Sequence, residues 1–557
     1  MSRAQGYQFI WWERLAIIIF IGMYLIAFNV TVPHGDALRI VRQIEASDLI
    51  WNPNHLIFDP LGYYWYSILN KLGVELEILG SFELISAIST IISLIIFHAV
   101  LIETGINKRS VRVIAVVGLF ASKNFLSLAV SQYYFMVQMP FLLGALFFGI
   151  RFISDSRSGK KEGRYLYAIG VLLAIATGLE INNIVLVFML GLVAGIMSHQ
   201  RMSRDVSDAI RLWGAAAAVG VPIFIFGYLA SGADDSFFSW LLAYQGESDS
   251  SLDQHYGIQW GLKGIAVSLA GLGFNLFFGN IIETAGLGIT LKVFVLQEPL
   301  EFIPEYTKIS LAIVLMPVVG SMLLILFWWA IRHIRKDIRL LFLLGWISAY
   351  LIFNFYWTYG SDLFWFQILP PIWLMLIIYF ESSVLASNSN RQNHDNKQWK
   401  LQVLSVVVIF LFVLNTLQTV MPISLEDIEK NRAEHKTLLR NGDLEIISGW
   451  DKYKWMMPGS ENRSIKKLIL MNMALEHSAD EQHIQNLPEI VAGHLETGQR
   501  VIVARLFDLD HDSNPWYGLA QQGWPRKKIQ ALFSDYCNKQ IGKIDEVVFR
   551  EIYVCVR

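Results

Sequence analysis

The sequence predicts an α-helical polytopic membrane protein followed by a small α/β domain. Only 17% of its 557 residues are charged, against about 25% in an average soluble chain, and 54% are hydrophobic. Apolar runs of about 20 residues, the length that crosses the hydrocarbon core of a bilayer, recur as far as residue 420. From residue 422 onward the composition changes to mixed charge, Asn and Asp turns and short β-rich runs.

About eleven of the apolar runs are long enough to be spans. They lie at Leu15–Val32, Leu84–Ile102, Val111–Leu128, Tyr134–Phe152, Leu166–Leu179, Ile181–Met197, Leu212–Leu229, Ile309–Ala330, Leu341–Tyr356, Leu363–Phe380 and Leu401–Val420. The fifth and sixth runs are separated only by Glu180, which predicts a tight hairpin between them. The stretch 262–302 is also apolar enough to insert, but its glycines and charged residues favour helices lying in the outer interface. Two crossings in that stretch would give about thirteen spans, which is the alternative.

Loop charge predicts the orientation, because short cytoplasmic loops accumulate Lys and Arg. Three short loops are basic, with Arg157, Lys160, Lys161 and Arg164 in the first, Arg201, Arg204 and Arg211 in the second, and Arg332, Arg335, Lys336 and Arg339 in the third. The loop Ser231–Trp260 has no Lys or Arg and carries several acids. We therefore expect a multi-pass plasma (inner) membrane protein with a cytoplasmic N-terminus and an extracytoplasmic C-terminal domain.

We place the boundary between a transmembrane domain, 1–421, and a soluble α/β domain, 422–557, at the change of composition. In the soluble domain, Arg500–Phe507 and Glu546–Val556 are predicted strands, and Ile465–Glu476 and Lys527–Tyr536 are predicted helices. Cys537 and Cys555 are the only cysteines of the sequence. In an oxidising compartment they could form one disulfide, and two unpaired thiols are the alternative.

The predicted first external loop, 33–80, is long but is not polar throughout. After Asp36, apolar residues recur at helical spacing at Leu38, Val41 and Ile44. The polar residues Arg39, Arg42, Gln43 and Glu45 fall on the other face of that helix. This pattern predicts an amphipathic helix lying in the membrane plane.

A second in-plane helix is predicted after Asp59. Pro60 suits its first turn, because a proline there lacks only an N–H that would be unpaired in any case. Tyr63, Tyr64, Trp65 and Tyr66 follow. Tyr and Trp favour the headgroup level of a bilayer, so this helix is also expected at the interface.

Asp36 lies four residues past the predicted end of the first span and just before the first in-plane helix. One interpretation is an N-cap, whose carboxylate accepts hydrogen bonds from the free N–H groups at the helix start. The other is a catalytic carboxylate at the membrane–water boundary, where a hydroxyl or amine acceptor could meet a lipid-borne donor. The spacing alone favours the cap.

A first span followed at once by a loop Asp and in-plane helices resembles the GT-C fold of polyprenyl-phosphate-dependent glycosyltransferases. The segment GDALRIVRQIEASDLIWNPNHLIFDPLGYYWY, which begins at Gly35, is similar to the corresponding loop of bacterial members related to protein mannosyltransferases. The elements Asn54–Leu56 and Asp59–Gly62 resemble the His/Pro/Gly motif that often follows in such proteins.

The resemblance implies a glycosyltransferase in which Asp36 is the catalytic carboxylate and the reaction inverts the anomeric centre. Its partners would be a polyprenyl-phosphate sugar donor, membrane lipids and a glycan, lipid or protein acceptor. The sequence departs from several branches of the superfamily because no second acidic residue stands next to Asp36. No cofactor is therefore assigned, and a requirement for a divalent metal stays open.

Further candidate substrate-binding residues are His34, Arg39, Arg42, His55, Asp59, Glu180 and Asp362. Arg39 and Arg42 are placed to pair with a lipid phosphate, and contact with ordinary anionic lipids is the alternative. His34 and His55 flank the site and could bind donor phosphate or acceptor, or could be surface histidines. Glu180 is an ionisable residue between apolar runs, which indicates function unless it is a solvated hairpin tip.

Asp362 is the only acid of the aromatic segment Tyr356–Pro371. That segment resembles a late GT-C loop near the donor pocket. Membrane packing is the alternative for its aromatic residues.

Two other classes of function stay open. A transporter or flippase of lipid-linked sugars would show repeated halves, and the sequence has no internal repeat. A lipid-linked polysaccharide polymerase or ligase would carry Arg and His in a large late loop, whereas Ser231–Trp260 has His255 and no Arg. The sequence has no P-loop, GxSxG, HExxH or dinucleotide-binding motif, and neither basic domain nor zinc-ligand spacing indicates nucleic acid.

Overall fold

The computed structural model describes residues 3–28, 35–46, 49, 51–131, 134–157, 163–200, 207–233, 236–242, 272, 320–356, 363–385, 394–420, 442–447, 466–469, 486–504, 528, 529, 531, 533, 539–542 and 552–555. The stretch 262–302, predicted to hold interfacial helices, lies outside this set except for Leu272. Cys537, one partner of the predicted disulfide, lies outside it as well.

The described residues up to 420 form mainly helices. The helices are α1 (Arg3–Ala27), α2 (Gly35–Ala46), α3 (Phe58–Lys71), α4 (Ile78–Glu103), α5 (Arg109–Ala121), α6 (Lys123–Ala129), α7 (Met139–Arg157), α8 (Arg164–Leu179), α9 (Ile184–Gln200), α10 (Ser207–Ser231), α11 (Phe237–Leu242), α12 (Arg339–Tyr356), α13 (Leu369–Leu385) and α14 (His394–Val420). Residues 320–333 are also helical. Short 3-10 turns lie at Pro53–His55, Tyr134–Gln138, Ile181–Asn183 and Leu363–Ile368.

Several described helices have the length and hydropathy of a membrane span. They are Ile10–Ala27, Ile78–Glu103, Tyr134–Asp155, Ser207–Ser231 and Trp365–Ser382. Shorter apolar helices lie at Arg164–Leu179, Ile181–Met197, Arg339–Phe355 and Leu401–Val413. All of them fall on predicted spans. The total of about eleven spans stays a prediction, because the described residues include only the end of the run Ile309–Ala330.

The predicted span Val111–Leu128 is not one straight helix. α5 and α6 meet at Ser122 with a bend of 73°. The sequence could not predict this bend, because hydropathy reports the composition of a run and not its direction. Trp373 Nε1 donates to Ser122 Oγ at 2.9 Å, and Asn415 Nδ2 donates to the Ala121 carbonyl at 2.6 Å. These bonds satisfy polar groups that the break releases inside the bundle.

The helical bundle is apolar both inside and outside. α8 packs against α7 and α10, α4 packs against α7, and α9 packs against α12. Large side chains such as Trp346 and Phe97 are buried between helices. Ile26 and Leu229 point outward and are 86% and 70% exposed. Helices that are hydrophobic all round are typical of membrane spans.

Buried charges tie several helices together at one end of the bundle. Glu13 of α1 accepts a hydrogen bond from Arg112 Nη2 at 2.7 Å and lies 2.8 Å from His98 Nε2. At the same end, Arg339 at the start of α12 donates to the carbonyl of Thr104, just after α4. Arg339 belongs to a loop that the sequence places on the cytoplasmic side.

The described residues after 441 contain a five-stranded mixed sheet. Its strands are β1 (Leu444–Ile447), β2 (Lys466–Ile469), β3 (Val501–Ala504), β4 (Lys539–Gly542) and β5 (Ile552–Cys555), in the order β2-β1-β3-β5-β4. β1 pairs in parallel with β2 and β3, whereas β5 pairs antiparallel with β3 and β4. α15 (Leu487–Glu496) precedes β3 and buries Leu487, Val491 and Leu495.

One element of this region is predicted wrongly from the sequence. The segment Ile465–Glu476 is predicted as a helix, but it contains β2, which pairs with β1. A short apolar run fits a buried strand as well as a helix, and here the pairing partner decides between them. The segments Arg500–Phe507 and Glu546–Val556, predicted as strands, contain β3 and β5.

Candidate functional site

α2 and α3 are the two helices predicted in the first external loop. α2 buries Ala37, Ile40 and Gln43 against its surroundings, at three-residue spacing. The prediction that Gln43 faces away is wrong, because its Nε2 donates to Asp59 Oδ2 at 3.4 Å in a buried position. An amide can face the interior when a buried acceptor on the next helix receives its hydrogen bond. Asp59, a predicted substrate-binding residue, is fully buried and links α3 to α2.

Asp36 lies in the first turn of α2, since the helix begins at Gly35 and not after Asp36. The N–H groups of a first turn have no partner within the helix, so this position suits a carboxylate in either interpretation. Asp36 and Gln43 are two turns apart on one side of α2. Arg39 and Arg42 follow on the same helix. Two further candidates, His34 and Asp362, lie outside the described residues.

The segment 51–57, between α2 and α3, packs against α8 and α10. The Ile57 N–H donates to the Gly178 carbonyl at 2.7 Å. A Cβ on Gly178 would lie 2.5 Å from Ile57 Cδ1, and one on Gly227 would overlap Leu56 Cδ1. Glycine permits this close approach because it has no Cβ. Two bundle helices therefore set the position of the segment.

Tyr134 contacts the start of α3 through its hydroxyl and its ring. Its hydroxyl donates to the Phe58 carbonyl at 2.8 Å, and the two rings stack with centroids 4.0 Å apart. Phe135 contacts both Phe58 and Phe366, with ring centroids 6.2 and 5.2 Å apart. The start of α3 and the 3-10 turns at Tyr134–Gln138 and Leu363–Ile368 thus meet in one place.

His55 and Glu180, two candidates from distant parts of the sequence, form a pair. His55 Nδ1 lies 3.0 Å from a Glu180 carboxylate oxygen, and the two side chains are 18% and 5% exposed. Glu180 directly follows α8 with an extended backbone. Its burial excludes the solvated hairpin tip. An imidazole and a carboxylate in contact could hold a ligand or transfer a proton.

The sequence analysis missed a group of neutral polar side chains beside Glu180. Asn183 Nδ2 donates to Gln138 Oε1 at 2.7 Å, and also to the carbonyls of Ala176 and Glu180. The Tyr350 hydroxyl donates to Asn183 Oδ1 at 2.5 Å. The signal available in the sequence was the pair of asparagines that follows Glu180 between two apolar runs.

No set of metal ligands is found in the described part of the chain. There, no group of three or more His, Cys, Asp or Glu side chains could hold a metal ion. The site instead contains an acid–imidazole pair, a buried amide network and a helix with Asp36 in its first turn.

A first span, two short helices of the first loop and the bundle that they pack on are the elements that position the site. The chain has the GT-C fold, which confirms the fold expected from the first loop. No protein-family model and no curated protein matches the sequence.

Two solved structures are similar to the chain over nearly its whole length. ArnT from Cupriavidus metallidurans, bound to undecaprenyl phosphate, matches with a TM-score of 0.51 and 11% identity, over 99% of this chain and 98% of that one. The archaeal oligosaccharyltransferase AglB from Archaeoglobus fulgidus, in complex with an inhibitory peptide and a dolichol-phosphate, matches with a TM-score of 0.52 and 12% identity. That match covers 96% of this chain and 73% of AglB. At these identities the likeness shows the fold.

Proposed function

We propose that this chain is a membrane glycosyltransferase that moves a sugar from a polyprenyl-phosphate-linked donor to an acceptor. The observation that supports it most is the contact of His55 with Glu180, in a GT-C first loop whose helix α2 carries Asp36 in its first turn. ArnT was solved with undecaprenyl phosphate and AglB with a dolichol-phosphate. By analogy we assign a polyprenyl phosphate to the donor of this chain.

The reaction is a single displacement with inversion. A hydroxyl or amine of the acceptor attacks the anomeric carbon of the donor sugar while the bond from that carbon to the phosphate oxygen breaks. Asp36 takes the proton of the acceptor, as a general base at the start of α2. The electron pair of the broken bond stays on the phosphate, which leaves with the lipid.

The leaving phosphate is already charged, so it needs cationic stabilisation and no general acid. Arg39 and Arg42 lie one and two turns after Asp36 on α2 and are the cations we assign to it. His34, Asp59 and Asp362 are the remaining residues assigned to substrate binding.

The site is assigned to the extracytoplasmic side. The segment 51–57 contacts α8 at Gly178 and α10 at Gly227, both in the C-terminal parts of those helices. Arg164 and Arg211 lie at or near the starts of the same helices. Since basic residues favour the cytoplasmic side, the opposite ends would face outward.

The experiment is a transfer assay with purified full-length protein in lipid nanodiscs. Undecaprenyl phosphates carrying radiolabelled glucose, mannose, galactose or arabinose are mixed with membrane extracts that supply acceptors. Label should leave the lipid with at least one donor, and the matching nucleotide sugars should give no product. Transfer from nucleotide sugars, or intact movement of every lipid-linked sugar without release of the sugar, would contradict the proposal.

A further inference from the structure

Three 3-10 turns lie close together: Tyr134–Gln138, Ile181–Asn183 and Leu363–Ile368. The last two accept hydrogen bonds from α12. Tyr350 of α12 donates to Asn183 at 2.5 Å. Trp346, one turn earlier on the same face, donates from Nε1 to the Gln367 carbonyl at 3.2 Å. Polar residues from two separate parts of the sequence therefore accept hydrogen bonds from neighbouring turns of one helix.

Side-chain contacts also join these turns to one another. Gln138 accepts a hydrogen bond from Asn183 at 2.7 Å, and the rings of Phe135 and Phe366 lie 5.2 Å apart. The amide cluster, as we call it, consists of Gln138, Asn182, Asn183, Tyr350 and Gln367. All of its members are buried.

Two amides of the amide cluster have unused hydrogen-bonding groups. Within the described part of the chain, neither the oxygen nor the nitrogen of the Asn182 and Gln367 side chains has a hydrogen-bond partner. These residues are only 3% and 0% exposed. Buried polar groups are normally hydrogen-bonded, because an unpaired one loses its contacts with water and gains nothing. A ligand with donors and acceptors would supply the missing partners.

The ionisable neighbour of the amide cluster faces an imidazole. Glu180 precedes Asn182 in the chain and faces His55 at 3.0 Å. The members of the amide cluster are themselves uncharged. Amides and a phenol each offer a donor and an acceptor, which suits the hydroxyl groups of a sugar.

We propose that the amide cluster binds the sugar ring of the lipid-linked donor, and that this sugar carries no charge. The inference rests on the proposed function and assigns residues to the recognition of the sugar, whereas the first-loop residues are assigned to the phosphate and the acceptor. Asn182 and Gln367 would bond to ring hydroxyls, and Tyr350 would hold Asn183 in place.

The test measures binding of the purified full-length protein to bare undecaprenyl phosphate and to the same lipid carrying glucose, mannose, galactose, arabinose or glucosamine. The parent should bind one uncharged sugar lipid about tenfold more tightly than the bare lipid. Gln367→Leu and Asn182→Leu should each remove most of that preference, about tenfold, without changing the affinity for the bare lipid. Each variant should melt at or above the parent's temperature, because leucine removes an unpaired buried amide.

Asn415→Leu is the matched control. Asn415 is a buried amide as well, but it bonds to the Ala121 carbonyl at the break between α5 and α6. Its loss should lower the melting temperature and leave the ratio between sugar-lipid and bare-lipid affinities unchanged.

The outcomes separate the two proposals. A parent that transfers sugar while Gln367→Leu and Asn182→Leu keep the full preference would overturn only the assignment of the amide cluster. Variants that melt below the parent and lose affinity for both lipids equally would show a structural role and would also overturn it. Tightest binding of the glucosamine lipid would overturn the uncharged sugar. A parent that neither binds nor uses any of these lipids would remove the proposed function together with this inference.

Discussion

Two arginines approach the same buried carboxylate from very different surroundings. Glu13 is 2% exposed and accepts hydrogen bonds from Arg112 Nε at 3.0 Å and Nη2 at 2.7 Å. Arg109 reaches the same carboxylate only at 3.6 Å, with its side chain 58% exposed. Burial should therefore make the two arginines differ in their contribution to stability.

Arg112→Ala would leave Glu13 buried without its main partner. We expect it to lower the free energy of unfolding by about 3–5 kcal/mol. Arg109→Ala removes an exposed ion pair and should cost about 0–1 kcal/mol. Thermal unfolding of both variants in the same detergent measures the difference, and equal losses would contradict the structural role of Arg112.

The pair formed by His55 and Glu180 has its own test. Glu180→Gln keeps the size of the side chain but removes the charge that faces the imidazole. We expect the kcat/KM of sugar transfer to fall about tenfold or more, because the pair can then no longer assist proton transfer. Glu75→Gln changes an exposed acid that follows α3 and is the control. A Glu180→Gln variant with the parent's kcat/KM would show that the pair takes no part in sugar transfer.

The sequence predicted which types of residue belong to the candidate site, but it did not predict which of them are in contact. His55, Asp59 and Glu180 stand out in the sequence because ionisable residues are unusual between apolar runs. Their partners do not, because His55 meets Glu180 only after the first loop is seated on α8. Gln43 was placed on the wrong face for the same reason, since its acceptor lies on another helix.

At the scale of elements, the contact between α10 and the first loop depends on a glycine. Gly227→Val would push a side chain into Leu56, and such overpacking costs about 1–3 kcal/mol. The displaced segment 51–57 would carry His55 with it, and a shift of about 1 Å can cost about 100-fold in rate. We therefore expect a large loss of transfer in this variant.

Gly214→Val provides the matched control on the same helix. A Cβ added to Gly214 would have nothing within 4 Å. This variant should therefore keep both the parent's transfer rate and its melting temperature. A Gly227→Val variant with the transfer rate of Gly214→Val would show that the seating of the loop does not matter.

Hydropathy located the long apolar helices because apolar length and composition are properties of each run by itself. It could not show the 73° bend at Ser122, which is fixed by hydrogen bonds from Trp373 and Asn415 in other helices. The same limit explains β2, whose strand conformation comes from pairing with β1. Local pattern thus predicted where elements lie, and contacts between elements decided their direction and type.

At the scale of the whole molecule, the proposed orientation is tested by labelling of single introduced cysteines, with both native cysteines replaced by serine. The positions expected inside are Lys160, Arg204 and Arg335, and those expected outside are Asp249 and Gly518. Impermeant maleimide should reach the first set only after the cytoplasmic side is opened, because the basic loops lie there. Labelling at position 518 from the cytoplasmic side alone would reverse the side assigned to the C-terminal domain.

The reaction of the whole molecule separates the proposed enzyme from the other two classes that the sequence left open. A flippase moves its lipid-linked sugar intact, whereas a transferase breaks the bond between the anomeric carbon and the phosphate. A polymerase or ligase passes on a glycan chain, whereas the proposed reaction passes on the sugar of a polyprenyl phosphate. Transfer assays with single-sugar donors therefore address the function of the complete chain.

The rate of sugar transfer by Asp36→Asn tests the central claim most directly. Asparagine can accept the same hydrogen bond at a helix start as aspartate, but it cannot take a proton from the acceptor. The account predicts that this variant folds, melts and binds the donor lipid like the parent, while its transfer rate falls by at least about 100-fold. A well-folded Asp36→Asn protein that transfers sugar at the parent's rate would contradict the claim and leave Asp36 as a helix cap.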